Sequence, residues 1–132
     1  RLDRCKWLEL NSSWLNYALL DLLLDEFPQA KFVLTIRDCY SWLDSVFNHL
    51  LARNQQEFQQ RFHQWYADRL WTGDHQAGDQ VLAERGLFPL DGFLRFWSEH
   101  NTRVIDMVPS ERLLIVRTQD IRQDIPRMAQ FM

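Results

Sequence analysis

Two short apolar runs place the strongest constraint on how this chain can fold. The first covers Lys31 to Ile36 and the second Leu113 to Val116. Runs of this length that consist mostly of apolar and β-branched residues are typical of strands buried in a parallel sheet. Helical patterns stand before, between and after the two runs, which is the order of an α/β domain. The sequence therefore predicts a parallel sheet flanked by several helices.

Helices are predicted on both sides of the first run. The earlier one extends from about Trp14 to Glu26 and ends at Phe27-Pro28, because the residue before a proline disfavours helical geometry. Its proposed apolar face consists of four leucines, Leu15, Leu19, Leu22 and Leu23. The next helix is expected to begin near Ser41, since Ser41 and Asp44 have the spacing of a capping box.

The remainder of the chain is predicted to be mostly helical. A helix from about Asn54 carries an aromatic stripe, and residues 71–92, which hold all four glycines, are predicted to form a long loop or lid with one short helix. A further helix runs from Phe93 to Met107 and is closed by Pro109. The last helical pattern covers Asp120 to Met132, with Pro126 near its start.

Composition limits the classes of protein to which the chain can belong. Its 132 residues are 46% apolar, which suits a single globular domain covering 1–132, and the net charge of −3 does not favour nucleic acid as a partner. Two distant cysteines, Cys5 and Cys39, indicate reduced thiols and a cytoplasmic location. The most apolar stretch is too short to span a membrane, and the histidines lack the spacing of metal ligands.

The two ends of the sequence indicate a fragment. The chain opens on Arg1 without a methionine and stops at Met132 inside a helical pattern. We therefore expect it to be part of a larger protein, clipped at both ends, with an incomplete sheet.

Arg37 and Ser45 are the candidate anion-binding residues. Arg37 ends the first apolar run, and Ser45 lies about one turn into the helix predicted to begin near Ser41. Ligands of open α/β sheets bind at the carboxyl ends of the strands, and an arginine fork suits a phosphate. The alternative interpretation pairs Arg37 with Asp38 or Asp44 and makes Ser45 an ordinary helical serine.

The segment FPQAKFVLTIRDCYSWLDSVFNHLL, which contains both residues, resembles the 3′-phosphate-binding segment of the sulfotransferases. That family shows a strand preceded by FP-x-AK, then an arginine, a turn, and a serine eight residues after the arginine. The later segments FWSEHNTRVIDMVPSERLLIVRTQDI and DIPRMAQFM resemble the helix, strand and acidic turn, and the helix that follows them. The similarity covers most of residues 5–50 and 93–132.

The resemblance implies a P-loop-like parallel sheet and a specific donor. Sulfotransferases use 3′-phosphoadenosine 5′-phosphosulfate (PAPS) and release 3′-phosphoadenosine 5′-phosphate (PAP). Arg37 and Ser45 would bind the 3′-phosphate, and Glu9 would be the base that takes the acceptor proton. The acceptor would be a small molecule or a glycan bearing a hydroxyl or an amine.

The chain departs from the family pattern at several positions. The glycine-, serine- and threonine-rich loop for the 5′-phosphosulfate is absent from these 132 residues, and Cys39 stands where proline is usual. Leu10 and Ser12 replace the lysine and proline common in bacterial members. Two alternatives therefore stay open: another P-loop-like phosphotransferase that needs Mg²⁺, or a non-catalytic binding module.

Overall fold

The computed structural model describes residues 11–12, 15–52 and 73–132 of the chain. Within them, the elements follow in the order helix, strand, helices, strand and helix, as the sequence predicts. We label them α1 (Leu15–Ala18), α2 (Leu20–Glu26), β1 (Phe32–Ile36), α3 (Cys39–Ala52), α4 (Gln80–Glu84), α5 (Leu90–Met107), β2 (Leu113–Arg117) and α6 (Ile121–Phe131). The aromatic helix predicted from about Asn54 lies outside the described residues.

The two strands pair in parallel. Their register runs from Phe32 opposite Leu113 to Ile36 opposite Arg117. Leu34 of β1 and both Leu114 and Val116 of β2 are buried. The α/β class and both predicted strands are therefore confirmed, whereas the P-loop-like character of the sheet stays a prediction.

One hydrophobic cluster joins the sheet to α2 and α5. Its buried members are Leu20, Leu34, Val104 and Val108. The predicted leucine face of the first helix is wrong, since Leu19 and Leu22 are 44% and 53% exposed. The helix is interrupted at Leu19, so that Leu20 is the leucine that enters the core. Because five of the six residues from 19 to 24 are leucines, more than one face of the helix is apolar. The neighbouring elements determine which of these faces is buried.

A second cluster joins α3 to residues 87–93. Leu43 and Leu50 of α3 pack with Leu87, Phe88 and Phe93. Gly86 has a φ of 67°, and the amides of residues 86 and 87 bond to the carbonyls of residues 83 and 82. This glycine terminates the helix, and the chain after it places Leu87 and Phe88 in the core. The short helix predicted in this segment is confirmed as α4, and residues 87–88 belong to the core.

The last two helices differ in how well their ends were predicted. Helix α5 ends at Met107, before Pro109, as predicted. Helix α6 begins at Ile121 after a short 3₁₀ turn, Thr118–Asp120, and Pro126 lies inside it rather than near its start. Proline cannot donate a backbone hydrogen bond, so α6 lacks one interior bond at this position.

None of the helices in the described ranges has both the length and the apolar character needed to cross a bilayer.

Candidate functional site

The corner between β1 and α3 is organised by Asp38. The Ser41 amide donates to Asp38 Oδ1 at 2.9 Å, and the Ser41 hydroxyl donates to the other carboxylate oxygen. The Trp42 amide donates to the Asp38 carbonyl at 3.0 Å, which is the first helical bond of α3. Asp38 is therefore the N-cap, and the predicted capping box of Ser41 with Asp44 is wrong. Aspartate and serine are both favourable N-cap residues, so the sequence alone allows the helix to start after Asp38 or after Ser41.

These hydrogen bonds change the electrostatics of the helix start. The bond from the Ser41 side chain, followed by that from its amide, lowers the pKa of the Asp38 carboxyl below its ordinary value of 3.8. A charged carboxylate at this end is favoured by the helix dipole. The Ser41 amide at the helix start is thus already occupied by Asp38. An anion at this corner would rely more on side chains than on the helix start.

Replacing Ser41 with alanine is expected to raise the pKa of Asp38 toward 3.8, because the largest stabilising hydrogen bond to the carboxylate is lost. The folded-state pKa is depressed, so the carboxylate contributes stability above its unfolded pKa and loses it as pH falls through the folded value. A carbon-13 NMR titration of the Asp38 carboxyl in both proteins measures this directly. An unchanged titration midpoint would show that Ser41 does not hold the carboxylate.

Arg37 follows β1 directly and is half-buried. Across the ranges that the structure describes, its guanidinium forms neither a hydrogen bond nor an ion pair. The alternative pairing with Asp38 or Asp44 is not seen there. A half-buried cation without a protein partner is available to an anionic ligand.

Ser45 is exposed on α3, one helical turn beyond Ser41. Its hydroxyl has no hydrogen-bond partner among the described residues, and no hydrogen bond joins it to Arg37. Neither predicted phosphate ligand therefore has a side-chain partner among the described residues; Arg37 lies between β1 and α3, and Ser45 lies within α3. Glu9, the predicted base, lies outside the described residues.

Two side chains that the sequence interpretation missed hold the backbone at Arg37. The Thr118 hydroxyl donates to the Ile36 carbonyl at 3.1 Å, and the Trp97 indole donates to the Arg37 carbonyl at 3.0 Å. Thr118 follows β2, whose last residue pairs with Ile36, so the parallel register could have indicated the first contact. The Trp97 contact joins residues 60 positions apart, and no pattern in the sequence indicates it.

His100 does not supply a second cation near this corner. It lies on α5 with its ring centroid 4.3 Å from that of Tyr17, and its Nδ1 is buried without a hydrogen-bond partner. Burial lowers the pKa of His100 below its usual 6.5. The imidazole is therefore neutral at neutral pH.

A cavity of about 390 Å³ lies between β2 and α6. Its lining consists of Ile115, Arg117, Asp120, Gln123, Asp124 and Arg127. Arg127 is paired with Asp124 at 3.3 Å, and two aspartates balance the two arginines. Neither Arg37 nor Ser45 lines this cavity, and its balanced charge does not favour an anion.

The chain is similar to a known protein family over most of its length. A family model described as a sulfotransferase domain matches residues 9–126, which is most of the 132-residue chain. The matched range includes Glu9, Arg37 and Ser45. No curated protein and no solved structure matches the chain.

Proposed function

The chain belongs to the sulfotransferase family, and on that premise we propose that it transfers a sulfuryl group from PAPS to an acceptor hydroxyl or amine. The observation that carries the proposal is the Arg37 guanidinium, which lies at the carboxyl end of a parallel strand without a partner in the described part of the chain. Such an edge is where α/β sheets bind their ligands.

The proposed role of Arg37 and Ser45 is to bind the 3′-phosphate of the donor. A guanidinium offers two parallel N–H groups to a phosphate, and a hydroxyl can donate one further hydrogen bond. Asp38 is held by Ser41, so its carboxylate does not compete for Arg37 through an ion pair. This arrangement distinguishes a nucleotide that carries a 3′-phosphate from one that does not.

In the proposed reaction, the bond from sulfur to the 5′-phosphate oxygen of PAPS breaks while a bond forms to the acceptor oxygen or nitrogen. The proton of the acceptor passes to a base, for which Glu9 is the candidate, and PAP leaves. The protein chiefly positions the groups and stabilises the charge on the leaving oxygen. The residues that would hold the 5′-phosphosulfate through a P-loop-like turn are not in this sequence.

The acceptor is proposed to be a small molecule or a glycan, and the location to be cytoplasmic. The acceptor class is proposed because of the family match, and the cytoplasmic location because the chain has only two cysteines. The half-buried thiol of Cys39 is unbridged.

We expect PAP to bind the intact protein at least tenfold more tightly than adenosine 5′-monophosphate, because only PAP carries the phosphate that Arg37 would bind. Isothermal titration calorimetry of both nucleotides at one ionic strength measures the preference. Equal affinities would contradict the proposal. Tighter binding of Mg²⁺-ATP than of PAP would instead indicate a phosphotransferase.

A further inference from the structure

The backbone on both sides of Arg37 is fixed by side chains from two other elements. The peptide group between Ile36 and Arg37 is held at its carbonyl by the Thr118 hydroxyl, at 3.1 Å. The peptide group between Arg37 and Asp38 is held at its carbonyl by the Trp97 indole, at 3.0 Å. Both bonds are partly buried, and each spans at least 60 residues of sequence.

Two fixed peptide planes define the direction in which a side chain leaves the backbone. The plane before a Cα atom and the plane after it set φ and ψ, and these set the Cα–Cβ vector. Arg37 lies past the last strand residue and before the helix cap, so neither the strand nor the helix fixes it. Thr118 and Trp97 supply the missing restraint.

We infer that Trp97 and Thr118 are positioning residues that aim the Arg37 guanidinium at the 3′-phosphate. The inference rests on the proposed function of Arg37. Neither residue touches the nucleotide in this account, and each acts only through a backbone carbonyl of the strand end. A guanidinium aimed in advance loses less conformational freedom when the phosphate binds.

The test uses two variants that each remove one donor while keeping the shape of the side chain. Trp97→Phe deletes the indole N–H, and Thr118→Val deletes the hydroxyl. Trp42→Phe is the matched control, because Trp42 stacks on Phe96 and its indole has no hydrogen-bond partner among the described residues. The affinities of PAP and of adenosine 5′-monophosphate are measured for each intact protein by calorimetry.

Each positioning variant is expected to weaken PAP binding about threefold to tenfold, which is the range that the loss of one hydrogen bond gives. Binding of adenosine 5′-monophosphate should stay unchanged, and Trp42→Phe should alter the ratio of the two affinities by less than about twofold. Equal weakening of both nucleotides would show a purely structural role and overturn the inference, as would unchanged PAP affinity.

Arg37→Ala, measured beside them, separates this inference from the proposed function. If Arg37→Ala leaves PAP affinity unchanged, the proposed function fails and the inference falls with it. If Arg37→Ala weakens PAP while Trp97→Phe and Thr118→Val do not, only the positioning role is overturned.

Discussion

Arg37→Ala is expected to weaken PAP binding about hundredfold, equivalent to roughly 3 kcal/mol. The guanidinium is half-buried and has no partner in the described ranges, so its charge-assisted bonds to the phosphate would not be offset by the loss of an existing ion pair. Calorimetric titration of PAP into the wild-type and variant proteins measures the loss. Arg37→Lys should recover only part of it, because an ammonium cannot form the bidentate fork.

A matched control separates local binding from general electrostatics. Arg95 is exposed on α5, and Arg95→Ala removes the same charge from the protein. We expect the PAP affinity of the Arg95→Ala variant to stay within about twofold of that of the wild type at 0.15 M salt, where distant surface charges are screened. A similar loss in both variants would mean that net charge, rather than a site at Arg37, governs the affinity.

Phe93→Ala is expected to lower the free energy of unfolding by about 3–5 kcal/mol, because it leaves a cavity in the second hydrophobic cluster. Phe93 is only 1% exposed, and its ring meets that of Phe47 edge to face with the centroids 5.1 Å apart. The substitution removes contacts that join α5 to α3, the helix that carries Ser45. Denaturant unfolding of the intact protein, followed by tryptophan fluorescence, measures the change.

The control for this prediction is Ile125→Ala on α6. Ile125 is 58% exposed, and its truncation should change the free energy of unfolding by less than about 0.5 kcal/mol. If Phe93→Ala cost no more than this control, the packing of α5 against α3 described above would be wrong.

Strand positions and helix ends in this protein could be predicted from the local sequence wherever the residue pattern was compatible with a single secondary structure. The runs ending at Ile36 and Val116 do not show the spacing of an amphipathic helix, and both form strands of one parallel pair. Pro109 closed α5 because proline cannot continue a helix. The leucine-rich first helix was different, since several faces are equally apolar and only the packing partners selected Leu20.

Hydrogen bonds at the site could be predicted only in part. Residue type and spacing are enough to predict Arg37 and Ser45 as candidate anion-binding residues. The choice of Asp38 over Ser41 as the cap depends on how the chain leaves β1, which no local pattern specifies. The contacts of Trp97 and Thr118 each join residues at least 60 positions apart, so no local pattern predicts them. The Thr118 contact could be inferred only once β1 and β2 were known to pair in this register.

The proposed function depends on an interaction between the Arg37 side chain and the 3′-phosphate of the donor nucleotide. A thermodynamic cycle tests it through four dissociation constants: PAP and adenosine 5′-monophosphate, each against wild type and Arg37→Ala. We expect a coupling free energy of roughly 2–3 kcal/mol, with the preference for PAP largely lost in the variant. A coupling near zero, with wild type and variant preferring PAP equally, would contradict it.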